Sequence, residues 1–258
     1  MEIAILGSGS SGNCTLIRHN EHCILLDAGF SARQIVERLM KFDVTPADLD
    51  GILVTHEHMD HIKGLRVLAD NYDVPVFSNM DTAEALRFKN QAPQRFNLFM
   101  TGQTFRVACF EVTPFPVPHD AAEATAYTIT CEGRKAAFVT DLGLAGRMVV
   151  HQIKNADFLL IESNYDFSQL QEAKRPWSVK QRIASRIGHL SNEDAMKLMV
   201  EAVGDNTRKV VFGHISKDCN SIEKVESAVK LTLETHGLMG RFEVEIAAQG
   251  MPLGPFRL

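Results

Sequence analysis

Residues 55–61 read Thr55-His56-Glu57-His58-Met59-Asp60-His61, directly after the apolar run Ile52-Leu53-Val54. The run has the look of a buried strand, so three imidazoles and a carboxylate are presented at a strand end. His56 and His58 lie two apart and share a face in extended chain, while Asp60 and His61 fall where the chain turns into the next element. Packed this closely without a ligand, such groups repel one another or lie unsatisfied. A divalent cation turns them into bonded donors of the N/O character that suits zinc, manganese or iron. The plainer reading, a solvated loop with chance histidines, leaves that density unexplained, and one segment of this form can serve two neighbouring metals.

Two metals need more donors, and three further apolar runs end in a single coordinating side chain. His119 follows Val112 to Val117, Asp141 ends Ala136-Ala137-Phe138-Val139-Thr140, and His214 follows Val210-Val211-Phe212-Gly213. Any one of these alone reads equally well as a surface strand terminus. Together with residues 55–61 they describe a rigid sheet edge lined with ligands. In this order the residues resemble the metallo-β-lactamase superfamily, over nearly the whole chain, and Asp27 in Leu25-Leu26-Asp27-Ala28-Gly29 matches that family's first motif. The resemblance implies a four-layer αβ/βα sandwich with two mixed sheets and a dinuclear centre. One metal would take His56, His58 and His119, the other Asp60, His61 and His214, with Asp141 bridging and Asp27 orienting the histidine loop from behind.

The rest of the chain fits an α/β fold of this kind. Strand-patterned runs at 2–6, 15–18, 22–27, 51–54, 75–78, 104–108, 110–117, 125–131, 135–140, 157–162, 208–212 and 241–246 alternate with helical stretches near 31–42, 62–71, 81–89, 144–153, 178–187, 191–203 and 221–236. Glu132-Gly133-Arg134 reads as a hairpin turn. Asp81 with Glu84, and Ser191 with Asp194, have the spacing of capping boxes. The second would place His189 beside exposed N–H donors of a helix start, making Ser191 and Asn192 candidate contacts for a phosphate oxygen. With no linker or low-complexity segment, residues 1–258 are expected to form one domain. Gly7-Ser8-Gly9-Ser10-Ser11-Gly12 imitates a dinucleotide fingerprint, but the residues from Asn13 to Asn20 leave no room for the crossover helix that fingerprint needs. It is expected to join adjacent antiparallel strands, either lining an active site or serving as a plain flexible turn.

Composition excludes several classes. Five scattered cysteines without a CxxC spacing suggest neither a disulfide framework nor a thiolate zinc site. No run approaches the roughly 20 apolar residues of a spanning helix, and Met1 to Leu6 lacks a basic signal region, so a cytoplasmic protein without membrane association is expected. The net charge of −5 gives no global attraction to nucleic acid, so phosphate binding must come from a local patch or from the metals.

Within the superfamily, His58 is intact, unlike the glutamate of flavodiiron proteins, and no cysteine ligand or secretory segment points to a lactamase. Only 47 residues separate Asp141 from His189 and 21 separate His119 from Asp141, too few for a β-CASP domain or a tRNA-clamping arm. Gly188 to Ala195 followed by Gly213-His214-Ile215-Ser216 resembles the paired C-terminal histidine motifs of RNase Z and related phosphodiesterases, in which the earlier histidine is not a ligand. Ile161 to Asp166 resembles the acidic motif before them, and Glu162 would polarise His189. With Gly7 to Cys14, His119-Asp120-Ala121 and Ser216 to Asn220, the chain resembles the YycJ, WalJ or VicX group. That resemblance implies a divalent-metal 5′ to 3′ DNA exonuclease linked to mismatch repair, with RNA as the other polymer. The expected chemistry uses a metal-bridging hydroxide, with Asp60 as proton acceptor and His189 as acid.

Lys174, Arg175, Lys180, Arg182 and Arg186 form a basic stretch before His189 that would track a strand, Lys180 and Arg182 touching substrate and Trp177 stacking on a base. A solvated helix face with a packed Trp is the competing description. A small-molecule hydrolase of a cyclic phosphodiester, lactone or thioester would use the same dinuclear site, and a metal-stabilised binding module would need no turnover.

Overall fold

A computed structural model describes residues 1–258. The first half of the chain builds one sheet from β1 (Glu2–Gly7), β2 (Cys14–His19), β3 (His22–Leu26), β4 (Leu49–Leu53), β5 (Val76–Ser78) and β6 (Asn97–Leu98). Helices α1 (Ala32–Leu39), α2 (Met59–Ile62), α3 (Leu65–Tyr72) and α4 (Met80–Phe88) connect its parallel strands. The second half contributes β7 (Phe105–Val107), β8 (Phe110–Pro116), β9 (Thr125–Cys131), β10 (Arg134–Val139), β11 (Phe158–Glu162), β12 (Lys209–Gly213) and β13 (Glu243–Ile246). Its helices are α5 (Arg147–Ile153), α6 (Phe167–Glu172), α7 (Trp177–Ile183), α8 (Asn192–Ala202) and α9 (Ile222–Thr235). The last strand, β14 (Leu253–Arg257), returns to the first sheet.

Strand order is β14-β1-β2-β3-β4-β5-β6 in one sheet and β13-β12-β11-β10-β9-β8-β7 in the other. In each, a parallel set (β3 to β6, and β10 to β13) is joined to an antiparallel set. Parallel strands are apolar on both faces because both are covered. In β11, Phe158 and Leu160 point between the sheets, and Leu159 and Ile161 point to the outer helices. The inter-sheet layer also holds Ile3, Ile5, Ile24, Leu26, Leu53, Tyr127, Phe138 and Val211. Outside the first sheet, Leu25, Ile52 and Val54 meet Ile35, Leu39 and Leu65. Outside the second, Val139, Val210 and Phe212 meet Val149, Met199 and Val225. The result is the expected sandwich of two sheets between two helical layers.

The glycine-rich segment joins β1 to β2 as antiparallel neighbours, so no crossover helix follows it. Glu132 (φ 46°) and Gly133 (φ 75°) form the hairpin between β9 and β10, a shape that needs positive φ at both central residues. Two local expectations need correction. The helix near residue 81 starts earlier, with Asn79 accepting from the Thr82 N–H at 2.8 Å, so Asp81 is already inside it. The helix expected over 62–71 is two pieces, α2 and α3, parted near Gly64. A Cβ on Gly64 would lie 2.4 Å from the Phe30 carbonyl oxygen. No helix is long and apolar enough to cross a membrane.

Candidate metal centre and cleft

The parallel strands of both sheets end at the same edge. Residues 54–61 leave β4 there, Asp27 follows β3, Asp141 follows β10, Glu162 ends β11 and His214 follows β12. The histidine loop is fixed from both sheets. The Tyr127 hydroxyl, on β9, donates to the Val54 carbonyl at 2.6 Å, and the Thr125 N–H donates to the Thr55 carbonyl at 3.0 Å. The Asp27 carboxylate accepts from the Thr55 N–H at 2.9 Å, from the Thr55 hydroxyl and from His61 Nδ1 at 2.7 Å.

These supports decide which ring nitrogen each histidine offers, because a carbonyl or carboxylate can only accept. His61 gives its Nδ1–H to Asp27, His119 its Nδ1–H to the Gly188 carbonyl at 3.1 Å, and His214 its Nδ1–H to Glu162 Oε1 at 2.7 Å. The Thr55 hydroxyl, spent as a donor to Asp27, accepts from His56 Nδ1 at 3.0 Å. All four rings are left with Nε2 free to offer a lone pair.

Those atoms converge. Ligand atoms of His56, His58 and His119 lie within 4.8 Å of one another, as do those of His56, His61 and Asp141, and of Asp60, His61 and His214. His214 Nε2 is 3.4 Å from Asp141 Oδ1, and His61 Nε2 is 3.2 Å from Asp141 Oδ2. Yet His56 Nε2, His214 Nε2 and Asp141 Oδ2 are buried without a hydrogen-bond partner. Buried polar atoms are rarely left so, since each unmade bond costs about 1–3 kcal/mol. The atoms are aimed at common points rather than at each other, and imidazole nitrogen with carboxylate oxygen is a set that zinc and other divalent ions accept. The residues fit two divalent cations.

Protonation tells the same story. Burial alone would lower His61 and His214, but Asp141 with Asp27 and Asp60 for His61, and Asp141 with Asp60 and Glu162 for His214, hold both well above the ordinary histidine range. Burial would raise Asp141, but the positive charge of His214 and His61 holds it well below the carboxylate range. Burial and the charge of His61 push His56 well down. Without a cation, protons on His61 and His214 neutralise the carboxylates.

Glu162 is fully buried and serves two histidines. Its Oε1 accepts from His214 Nδ1 and from His189 Nδ1, each at 2.7 Å, and its Oε2 accepts from the Leu142 and Leu190 N–H groups. Asp141, Glu162, His189 and His214 approach closely enough to suggest a third metal group. The nitrogens on Glu162 carry protons, however, so Glu162 supports rather than coordinates. Burial would lower His189, but the Glu162 charge and hydrogen bond raise it.

A cleft of about 230 Å³ opens onto these groups. Its floor holds His58, Asp60, His119, Asp141, His189 and His214, and its walls include Ser10, Asn164, Ser216, Arg175 and Arg182. Three residues expected to touch substrate do not wall it. Ser191 caps α8, accepting from the Asp194 N–H at 3.1 Å. Asn192 is buried, its side chain bonded to Ser163 and Asn220 and its N–H to the Tyr165 carbonyl. Lys180 donates to the Gln171 carbonyl on the far side of α7. Trp177 is 61% exposed rather than packed, and it too lies off the cleft.

Asn13, Thr55, Tyr127 and Ser8 escaped the sequence reading. Asn13 Nδ2 lies 3.0 Å from His61 Nε2, and Ser8 Oγ accepts from the His214 N–H at 2.8 Å. Their residue types are commonplace: Ser8 lies inside the glycine-rich segment, Asn13 directly after it and Thr55 at the head of the histidine stretch, while nothing near Tyr127 marked it.

Fold and donor set together define a metallo-β-lactamase-type protein. The sequence profile of the beta-lactamase superfamily domain matches residues 22–215, and the chain belongs to that family. Over 257 residues it is 37% identical to the exodeoxyribonuclease YycJ of Bacillus anthracis, covering 98% of this chain and 97% of that one. The exodeoxyribonuclease WalJ of Streptococcus pneumoniae serotype 2 is 36% identical over 222 residues, 84% of this chain and 82% of its own. Among solved structures, the metallo-β-lactamase fold protein YhfI of Bacillus subtilis superposes with a TM-score of 0.74 at 18% identity, covering 98% of this chain and 99% of that one. That likeness is one of fold.

Proposed function

We propose that the chain is a metal-dependent hydrolase of phosphodiesters that acts on nucleic acid as a DNA exonuclease, working from the 5′ end. The relatives named exodeoxyribonuclease support the reaction class over nearly the full chain. The observation that carries the chemistry is His189, which faces the cleft beside the donor set while its Nδ1 is held by Glu162.

His56, His58 and His119 would hold one cation and Asp60, His61 and His214 the other, with Asp141 between them. When bound, the two cations supply Lewis-acid polarisation of phosphate oxygens and lower the pKa of water from about 15.7 towards neutrality. Zinc suits the three-nitrogen set best, while the mixed set also admits manganese or iron. Asp60 accepts the proton of the attacking water at the cleft floor. His189, kept protonated by Glu162, gives its Nε2 proton to the leaving oxygen, a role worth about 10²–10⁴ in rate. His119, Asp141 and His214 are buried at the floor while His58 and Asp60 are partly open, so a phosphodiester reaches them from an unpaired strand end.

His189→Ala should retain bound metal and lose turnover by about 10²–10⁴, read by elemental analysis beside an assay with 5′-labelled and 3′-labelled single strands of DNA and RNA. Loss of metal together with activity would make His189 a ligand and overturn its role. Equal turnover of a lactone or thioester would favour a small-molecule hydrolase instead.

A further inference from the structure

Residues 174–186 carry five cations and no acid in a chain whose net charge is −5, yet only two of the five wall the cleft. Val179, Arg182 and Ile183 form one face of α7, and Arg175, just ahead of the helix, extends that line. Trp177 and Lys180 fall about half a turn away. Each cleft arginine meets a carboxylate on the facing loop. Arg182 pairs with Asp120, the neighbour of His119, and Arg175 pairs with Asp218, four residues beyond His214. Both guanidiniums therefore wall the cleft over the ligand groups, one held on the loop after β8 and the other on the loop after β12.

Each pair keeps one member well in solvent, Arg182 at 63% and Asp218 at 59%, with Asp120 at 20% and Arg175 at 39%. Ion pairs of that kind are weak. A guanidinium fork matches phosphate oxygens in a bidentate manner, and the arginines are long enough to swing from one acceptor to another. We propose that Arg175 and Arg182 read the phosphates on either side of the scissile one, exchanging Asp218 and Asp120 for phosphate oxygens as a strand enters. The clamp rests on the phosphodiesterase reading above and makes its substrate class a polynucleotide strand. A cyclic phosphodiester or dinucleoside monophosphate reaches the cleft floor but engages neither arginine.

The test compares KM for a deoxydinucleotide with one phosphodiester and a deoxytetranucleotide with three, using the full-length, metal-loaded protein. The unaltered protein is expected to favour the tetranucleotide at least tenfold. Arg175→Ala and Arg182→Ala should each remove part of that preference through KM rather than kcat, and the double variant nearly all of it. The slope of log kcat/KM against log salt should fall by about one per arginine removed. A double variant that keeps the length preference, or an unaltered protein without one, overturns the clamp. An unaltered protein that cleaves neither length removes the phosphodiesterase reading itself, and the clamp with it.

Discussion

Asp27, Asp141 and His214 share an uncommon backbone conformation, with φ of 61°, 58° and 53°. The left-handed region disfavours side-chain-bearing residues by about 1–2 kcal/mol, and Asp and His are among those that tolerate it best. Each sits at the end of a parallel strand, where the left-handed turn directs a side chain across the sheet edge. Strain of this kind persists where the surroundings over-determine it, here through paired carboxylates and ring nitrogens. Glu162 works at the same scale. Burial would lower the His189 pKa, and the Glu162 charge reverses the sign. In Glu162→Gln that charge is gone, so His189 loses its proton at lower pH. The alkaline limb of kcat, measured at saturating metal, should therefore shift to lower pH, with a larger deficit at pH 8 than at pH 6. An unmoved limb would separate His189 from the proton transfer.

Among the elements, the histidine loop depends on a close crossing with the segment after β3. The Ala28 N–H donates to the His61 carbonyl at 2.7 Å, and the Asn13 N–H to the Asp60 carbonyl at 2.7 Å. A Cβ on Gly29 would lie 1.7 Å from the Asp60 carbonyl oxygen. Gly29→Ala should therefore displace α2, lowering stability by about 1–3 kcal/mol or more and weakening metal affinity in a chelator competition. An alanine variant with unchanged melting and affinity would show that the crossing relaxes freely. Local signals explain why the donors were readable in advance. Residues 55–61 are contiguous, and His119, Asp141 and His214 each end an apolar run. Tyr127 is different, because its partner Val54 is 73 residues away and nothing near Tyr127 encodes it. The misplaced cap at Asp81 arose because the helix extends one residue before it. Strands β6 and β14 lack alternation long enough to stand out, and β14 contains Gly254 and Pro255.

For the molecule as a whole, each proposed ligand triad straddles the two sheets. His56 and His58 belong to the first and His119 to the second; Asp60 and His61 belong to the first and His214 to the second. Bound cations would add to the stability of the assembled sandwich by mass action, about 2.7 kcal/mol for one ion at a hundred times its Kd. At roughly 2–4 °C per kcal/mol, stripping one ion with a chelator should lower Tm by about 5–10 °C and stripping both by about twice that, with recovery on adding zinc or manganese. A Tm indifferent to chelation would mean that the ions do not join the two sheets. The layered architecture was legible from the order of strand and helix runs together with the family resemblance, and the apolar runs agree because both faces of the central strands are covered. The pairing of α7 with the Asp120 and Asp218 loops was not, since it depends on how the helical layer lies across the sheet edge.

A chain still emerging from the ribosome, past residue 61 but short of residue 119, holds three clustered histidines and neither proposed triad. Ion capture by either proposed triad would therefore wait on long-range assembly, because each needs a donor from both halves of the chain.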